Sequence, residues 1–116
     1  MIDISILHDF SRGDKAFELD VIQTYIDESD EFASLLETNL IQGNVSEIGR
    51  IAHKLKSSIS VFGFKEFHQL LNKLEDYCSQ QSPHELLNSL VLDVLNYNKN
   101  LTAEMLEIKA EYSKSE

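Results

Sequence analysis

The 116-residue chain is poor in the residues that interrupt helices or cross-link a fold. It contains one proline, four glycines, one cysteine and no tryptophan. Few prolines and glycines leave few places where a helix must end, which favours long helices over a β fold with many turns. The single cysteine, Cys78, excludes an internal disulfide, so a reducing compartment is expected.

Basic residues are also scarce, since ten Lys and Arg stand against twenty Asp and Glu and give a formal net charge of −10. Nucleic acid and anionic membrane surfaces require clustered Lys and Arg, so neither is expected as a partner. No apolar run approaches the roughly 20 residues that span a bilayer, and the N-terminus lacks the features of a secretory signal. We expect a cytoplasmic protein, and the short length and Met1 favour a free-standing single domain, 1–116.

Apolar residues recur at intervals of three and four along most of the chain, which is typical of amphipathic helices. A short lead-in helix is predicted within residues 1–13. Asp14 is a predicted N-cap of a long second helix that ends at Gly43, and Asn44 is predicted to cap a third helix that ends near Gly63. The residues of the second helix that are predicted to face the core are Phe17, Val21, Ile22, Tyr25, Phe32, Leu35, Leu36 and Leu40.

The last two helices complete the predicted architecture. A fourth helix follows Phe64, and Ser82, Pro83 and Glu85 form a capping pattern at the start of the last one. Residues 111–116 are polar and are expected to fray. The residues of the last helix that are predicted to face the core are Leu86, Leu87, Leu90, Val91, Val94, Leu95, Leu101, Met105 and Ile108. The pattern predicts an all-α fold, an antiparallel up-down four-helix bundle with a short N-terminal helix.

The third helix carries a histidine on its polar side. Its apolar residues fall in one sector of roughly 100°, which is predicted to face the core: Ile48, Ile51, Ala52, Leu55, Ile59 and Phe62. His53 lies about 150° from the middle of that sector and is predicted to face solvent. Gly49 and Ser57, one turn before and after, are small and leave the ring accessible, while Arg50 and Lys56 are predicted to reach an oxyanion on it.

The charges around this histidine are unusual for so acidic a chain. No Asp or Glu occurs from Ile48 to Lys65, where the average composition predicts about three. The same stretch carries Arg50, Lys54 and Lys56, so a locally cationic window is predicted. A dianionic phosphoryl group would accept charge-assisted hydrogen bonds there. Imidazole is mostly an unprotonated nucleophile at neutral pH, which makes His53 a candidate phosphoryl acceptor.

The segment His53-Lys54-Leu55-Lys56-Ser57-Ser58, with Gly63 a few residues on, resembles the motif of histidine-containing phosphotransfer (HPt) domains. That motif reads His-x-Leu-Lys-Gly/Ser-Ser, followed after a few residues by Gly. Ala52 and the pair Leu74-Glu75 also match the family. The resemblance covers about residues 14–100, and its specific part is the third helix and its exit.

The resemblance implies a role for each matching residue. His53 looks like the phosphorylated residue, Lys56 like the lysine that stabilises the phosphoryl group, and Ser57 like the small residue that keeps the ring accessible. Gly63 looks like the glycine that ends the helix. Phe64 stands where the family usually has a small residue, and we expect it to reshape the contact surface.

The resemblance also implies the partners. HPt domains exchange phosphate with the aspartate of receiver domains, in response regulators or hybrid histidine kinases, with Mg²⁺ bound by the receiver. No cofactor or metal is expected on this chain itself. His68 flanks the apolar stripe of the fourth helix and is a further candidate for the docking surface. A monomer is expected, because one face is available to partners.

The sequence disfavours two other functions, a metal-binding bundle and a histidine kinase. A metal-binding bundle needs Glu-x-x-His pairs, and the chain contains none. A histidine kinase needs a glycine-rich phosphate loop, which four scattered glycines do not supply, so no ATP-dependent kinase activity is expected. The alternative that stays open is an HPt-like adaptor that docks on a receiver without accepting phosphate. No functional role is expected for the other two histidines, because His84 is predicted to serve the cap region of the last helix and His8 lies in the lead-in segment. Cys78 is predicted to be a small hydrophobe.

Overall fold

A computed structural model describes residues 3–80 and 85–114 of the chain. These residues form five α-helices and one short 3₁₀ turn, and no strand is found among them. The helices are α1 (Ser5–Ser11), α2 (Lys15–Gln42), α3 (Val45–Ser58), α4 (Lys65–Ser79) and α5 (Leu87–Lys114), and the 3₁₀ turn, Ser60–Phe62, lies between α3 and α4. The prediction of an all-α fold with a short N-terminal helix is confirmed.

Most predicted boundaries have the expected local cause. The Asp14 carboxylate accepts a hydrogen bond from Phe17 N at 3.0 Å and caps α2. Gly43 ends α2 in the left-handed conformation, with φ +72°, and Gly63 ends the 3₁₀ turn at φ +69°. Asn44 is the N-cap residue of α3, as predicted, but its side chain makes no cap hydrogen bond. Its amide donates instead to Asn39 Oδ1 and to Gln42 Oε1.

The ends of α5 differ from the prediction where the structure describes them. Of the residues predicted for the cap region, Ser82, Pro83 and His84 lie outside the described residues, Glu85 lies in a turn, and α5 begins at Leu87. Residues 111–114, part of the tail expected to fray, continue α5. Tyr112 is held there by a hydrogen bond from its hydroxyl to Glu18 Oε1 at 2.7 Å, so a polar contact between helices extends the last turn.

The four longer helices pack pairwise around one core. α2 contacts α3 and α5, and α4 contacts the same two helices. α2 and α5 each have 28 residues, about 42 Å of helix, whereas α3 and α4 have 14 and 15, about 21 Å. The two long helices therefore extend beyond the four-helix region, which accounts for a long axis of 52 Å.

The core faces of α3 and α4 follow their periodicity, but that of α2 does not follow it throughout. All six residues of the predicted α3 stripe are buried. On α2, however, Phe17 and Leu35 are 38 % and 40 % exposed, while the polar residues Glu18 and Ser29 are each 1 % exposed. Leu86 is likewise exposed, contrary to the prediction. The inward positions of α2 thus include polar residues with hydrogen-bond partners.

Between α2 and α5 these partners form a small buried network. Tyr25 donates to Asn98 Oδ1 at 2.5 Å, and the Asn98 amide donates to the carbonyl oxygen of Ser29 at 3.2 Å. Burial raises the pKa of Tyr25 well above its ordinary value. Because such groups are costly to bury unpaired, the network favours one register of α2 against α5.

The short helix α1 packs against α2 and against the 3₁₀ turn that follows α3. A Cβ built on Gly63 would lie 2.2 Å from Ile6 Cδ1, so a side chain at this position would require the Ile6 side chain of α1 to shift. Gly63 therefore meets two demands, a left-handed backbone and close approach of α1. Both act at the exit of the helix that carries His53.

Candidate functional site

His53 stands on the outer face of α3, and its side chain is 61 % exposed. The opposite face of the same helix is anchored by fully buried Ile48, Ala52 and Leu55. Because the helix cannot rotate without exposing these residues, the core fixes the direction in which the imidazole points. The exposure predicted for His53 is observed.

A carboxylate from α4 holds the ring. His53 Nδ1 lies 2.5 Å from Glu75 Oε2, and since a carboxylate only accepts, Nδ1 carries the proton and donates it. In the neutral imidazole the other ring nitrogen, Nε2, then keeps its lone pair. The two nitrogens point roughly in opposite directions, so the lone pair of Nε2 is directed away from α4.

The same carboxylate also binds the lysine one turn further along α3. Lys56 Nζ donates to Glu75 Oε1 at 2.7 Å and to Asn72 Oδ1 at 3.1 Å. The bond from Lys56 is the main cause that lowers the pKa of Glu75 below its ordinary value. Burial opposes this effect, and the weaker effect of the His53 bond lowers the pKa further. Glu75 is therefore an anion at neutral pH that joins His53 and Lys56.

Two grooves flank His53. One, of about 420 Å³, lies between α3 and α4 and includes Gly49, Arg50 and Cys78 in its lining. The other, of about 380 Å³, lies between α2 and α3, where Glu31, Leu35 and Ser57 are among the lining residues. The imidazole borders both, so it stands on a ridge with open space on each side.

The described residues contain no group of three or more His, Cys, Asp or Glu side chains that could hold a metal ion. None of the described helices combines the length and the apolar character needed to cross a bilayer.

The model of the Hpt domain family matches residues 20–112, most of the chain. The chain belongs to the Hpt domain family. This family is the one that carries out histidine phosphotransfer in two-component phosphorelays.

The fold of the chain is similar to that of a solved HPt domain. The crystal structure of the HPt domain of the Hpt sensor hybrid histidine kinase from Shewanella superimposes with a TM-score of 0.83. The match covers 95 % of this chain and 94 % of that chain, at 16 % sequence identity. No curated protein sequence matches the chain.

Several residues predicted for the Hpt site are brought together with His53. Lys56 is three residues away on α3, only 17 % exposed, and tied to the same carboxylate. Ser57 is exposed beside the ring, and its hydroxyl turns back to the carbonyl oxygen of His53 at 3.2 Å. These placements agree with the motif, and the roles of Lys56 and Ser57 stay predictions.

Three other predicted site residues have no contact with the His53–Glu75–Lys56 cluster among the bonds that the structure gives. Arg50 borders the α3–α4 groove, but its guanidinium pairs with Glu47 at 3.0 Å on its own helix. His68 is exposed on α4 and lines neither groove beside His53. Phe64, which was expected to reshape the contact surface, is buried instead, and its ring stacks on that of Phe62 with the centroids 5.0 Å apart.

The prediction of a cationic, acid-free window is also wrong in three dimensions. It considered the charges along α3 alone, whereas the neighbouring helices place carboxylates at the same surface. Glu75 on α4 binds the ring, and Glu28 and Glu31 on α2 line the groove on the other side. The site thus holds its cation, Lys56, by pairing it with an acid instead of excluding acids.

Two residues of this cluster escaped the sequence interpretation. Glu75 was noted only as a match to the family, and Asn72 was not singled out. A signal was nevertheless present, because Asn72 and Glu75 are three residues apart on α4, as His53 and Lys56 are on α3. When two helices face each other, polar residues that have the same spacing on each helix can form hydrogen bonds across the interface.

Proposed function

We propose that this protein is a phosphorelay intermediate that accepts a phosphoryl group on His53 from the aspartyl phosphate of one receiver domain and passes it to another. The observation that carries the proposal is the exposed imidazole whose Nδ1 is bound by Glu75 and whose Nε2 is therefore the free nucleophile. Membership of the Hpt domain family supports the class of reaction. The short connections between α2, α3 and α4 further support an antiparallel up-down arrangement of the bundle.

The transfer step follows from the two ring nitrogens. The lone pair of Nε2 attacks the phosphorus atom of the aspartyl phosphate, the bond from phosphorus to the aspartate oxygen breaks, and aspartate leaves as a carboxylate. The ring gains positive charge as the new N–P bond forms, and the Nδ1 proton faces the Glu75 carboxylate, which stabilises that charge. In the reverse direction the same atoms move back.

Lys56 neutralises charge on the phosphoryl group. The transition state of phosphoryl transfer is loose, so catalysis depends on positioning and on stabilising the charge of the equatorial oxygens. The Lys56 ammonium has three donors, of which Glu75 and Asn72 accept two. The third is available to a phosphoryl oxygen, and Mg²⁺ on the receiver is expected to supply the remaining charge.

The direction of Nε2 suggests the side of approach. Because Nδ1 faces α4, a receiver that presents its phosphoryl group to Nε2 would sit over α2 and α3. That side offers Leu35, 40 % exposed, within a groove that Glu28 and Glu31 also line. An apolar contact surrounded by basic side chains on the receiver would complement this groove.

The test is phosphate transfer from a receiver domain labelled with radioactive phosphate. A panel of receivers from the source organism would be mixed with the wild type, with His53→Gln and with the control His68→Gln. The wild type and the control should acquire acid-labile, alkali-stable phosphate, and His53→Gln should not. Labelling of His53→Gln would contradict the site, and unlabelled wild type that still binds a receiver would favour the adaptor.

A further inference from the structure

Lys56 is held at two points by α4. Its ammonium donates to Glu75 at 2.7 Å and to Asn72 at 3.1 Å. Its side chain is 17 % exposed, against 61 % for His53, which is unusual confinement for a long flexible lysine. The ammonium is thereby kept close to the ring instead of extending into water.

The two acceptors differ in what they do to the charge of Lys56. Glu75 is an anion, and it is shared, because its other oxygen accepts from His53. A dianionic phosphoryl group on Nε2 competes with Glu75 for the lysine. Asn72 is neutral, so it directs the ammonium without cancelling its charge and does not compete with the phosphoryl group for that charge.

We infer that Asn72 is a positioning residue of the phosphotransfer site, which keeps Lys56 directed at the phosphoryl group while the phosphoryl oxygens compete with Glu75 for its ammonium. This inference rests on the proposed function and deepens it. The juxtaposition that carries it is Asn72 Oδ1 against Lys56 Nζ, beside the His53–Glu75 pair. Asn72 is expected to act on the rate of transfer through Lys56 and not to bind the receiver.

The experiment compares Asn72→Leu with the control Gln69→Leu, since both residues are exposed carboxamides on α4. Asn72→Leu removes the acceptor at nearly constant volume and should lower kcat of transfer from the phosphorylated receiver about threefold to tenfold, which is the usual net effect of one hydrogen bond. KM should stay unchanged, and Gln69→Leu should behave as the wild type. A higher KM with unchanged kcat would overturn the inference.

A double-mutant cycle tests whether Asn72 acts through Lys56. In the Lys56→Ala background, Asn72→Leu should have no further effect on kcat. Fully additive effects would overturn the inference while leaving the proposed function intact, because wild-type labelling on His53 is measured in the same assay. Absence of any label on the wild type would instead contradict the proposed function. Far-ultraviolet circular dichroism of each variant checks that the helices are retained.

Discussion

Two histidine–glutamate pairs occur among the residues that the structure describes, and they differ in which partner is buried. His53 and Glu75 are 61 % and 27 % exposed and join α3 to α4. His8 and Glu18 are 51 % and 2 % exposed, with Nδ1 of His8 2.7 Å from Glu18 Oε2. The same two residue types thus form one pair at the surface and one pair whose acid is in the interior.

The donors around each carboxylate explain the difference. Glu18 accepts from His8 and Ser11 on α1 and from Tyr112 on α5, so one carboxylate joins three helices. Burial alone would raise the pKa of Glu18, but the bonds from Ser11, Tyr112 and His8 outweigh it and lower the pKa. Glu75 accepts from His53 and Lys56, both on α3. The buried pair joins three helices of the fold, whereas the exposed pair contains the histidine that we propose as the phosphoryl acceptor.

Crowding the ring of His53 should have the largest effect. Ser57→Gln places a longer side chain beside the His53 ring, on the α2–α3 side. The variant should slow transfer on the order of 100-fold, because small displacements of reacting groups lower the rate by about that factor. Ser46→Gln on the α3–α4 side is the control and should transfer normally. Rates from a labelled receiver would be measured together with thermal stability. Equal rates for the two variants would contradict the proposed side of approach.

Removing the lysine should have the next largest effect. Lys56→Ala deletes a charge-assisted donor to the phosphoryl group and should slow transfer about tenfold to 100-fold, or shorten the lifetime of the phosphohistidine to a similar degree. Helical content should not change, since the α3 core stripe is intact. Lys73→Ala on the exposed side of α4 is the control. Loss of the helical signal in Lys56→Ala would show that the lysine serves the fold.

At the buried pair the effect should fall on stability. Tyr112→Phe removes one donor to the Glu18 carboxylate and should lower the free energy of unfolding by about 1.5 to 3 kcal/mol, the usual contribution of a hydrogen bond to a charged group. Transfer to His53 should be unchanged. Tyr97→Phe, whose hydroxyl lies 3.5 Å from exposed Glu66, is the matched control. Urea unfolding of the two variants gives the comparison, and equal stabilities would contradict the role assigned to Glu18.

The smallest effect is the pH dependence of stability. The pKa values of Glu18 and Glu75 are lowered in the folded chain, so their stabilisation is complete above the ordinary glutamate value of about 4.3 and is lost as the pH falls through the folded values. Between pH 7 and pH 3, Glu18→Gln should therefore lose less stability than the wild type. Glu31→Gln, at an exposed position, should follow the wild type. A Glu18→Gln profile parallel to that of the wild type would contradict this linkage.

The two regions also differ in how far the sequence predicts them. On α3 the apolar residues recur regularly, so the core stripe and the exposure of His53 follow from helical geometry alone. On α2 the same reasoning predicted that Phe17 faces the core and did not predict that Glu18 is buried. The burial of Glu18 depends on Tyr112, which is 94 residues away in the chain, and no periodicity within one helix contains that information.

The cluster at His53 was predicted only where it lies on one helix. His53, Lys56 and Ser57 are neighbours on α3, so their spacing identified them. Glu75 and Asn72 come from α4, and their contact with α3 depends on the distance and rotation between two helices. Gly49 contributes to that closeness, because a Cβ there would lie 3.1 Å from the Cβ of Cys78 on α4.

The most direct measurement is a nuclear magnetic resonance spectrum of the phosphorylated chain with ¹⁵N-labelled histidine, which distinguishes the two ring nitrogens. It should show the phosphoryl group on Nε2 of His53 and a proton on Nδ1, toward Glu75. A phosphoryl group on Nδ1, or on His8 or His68, would contradict the account, because the carboxylate of Glu75 would then not determine which nitrogen reacts.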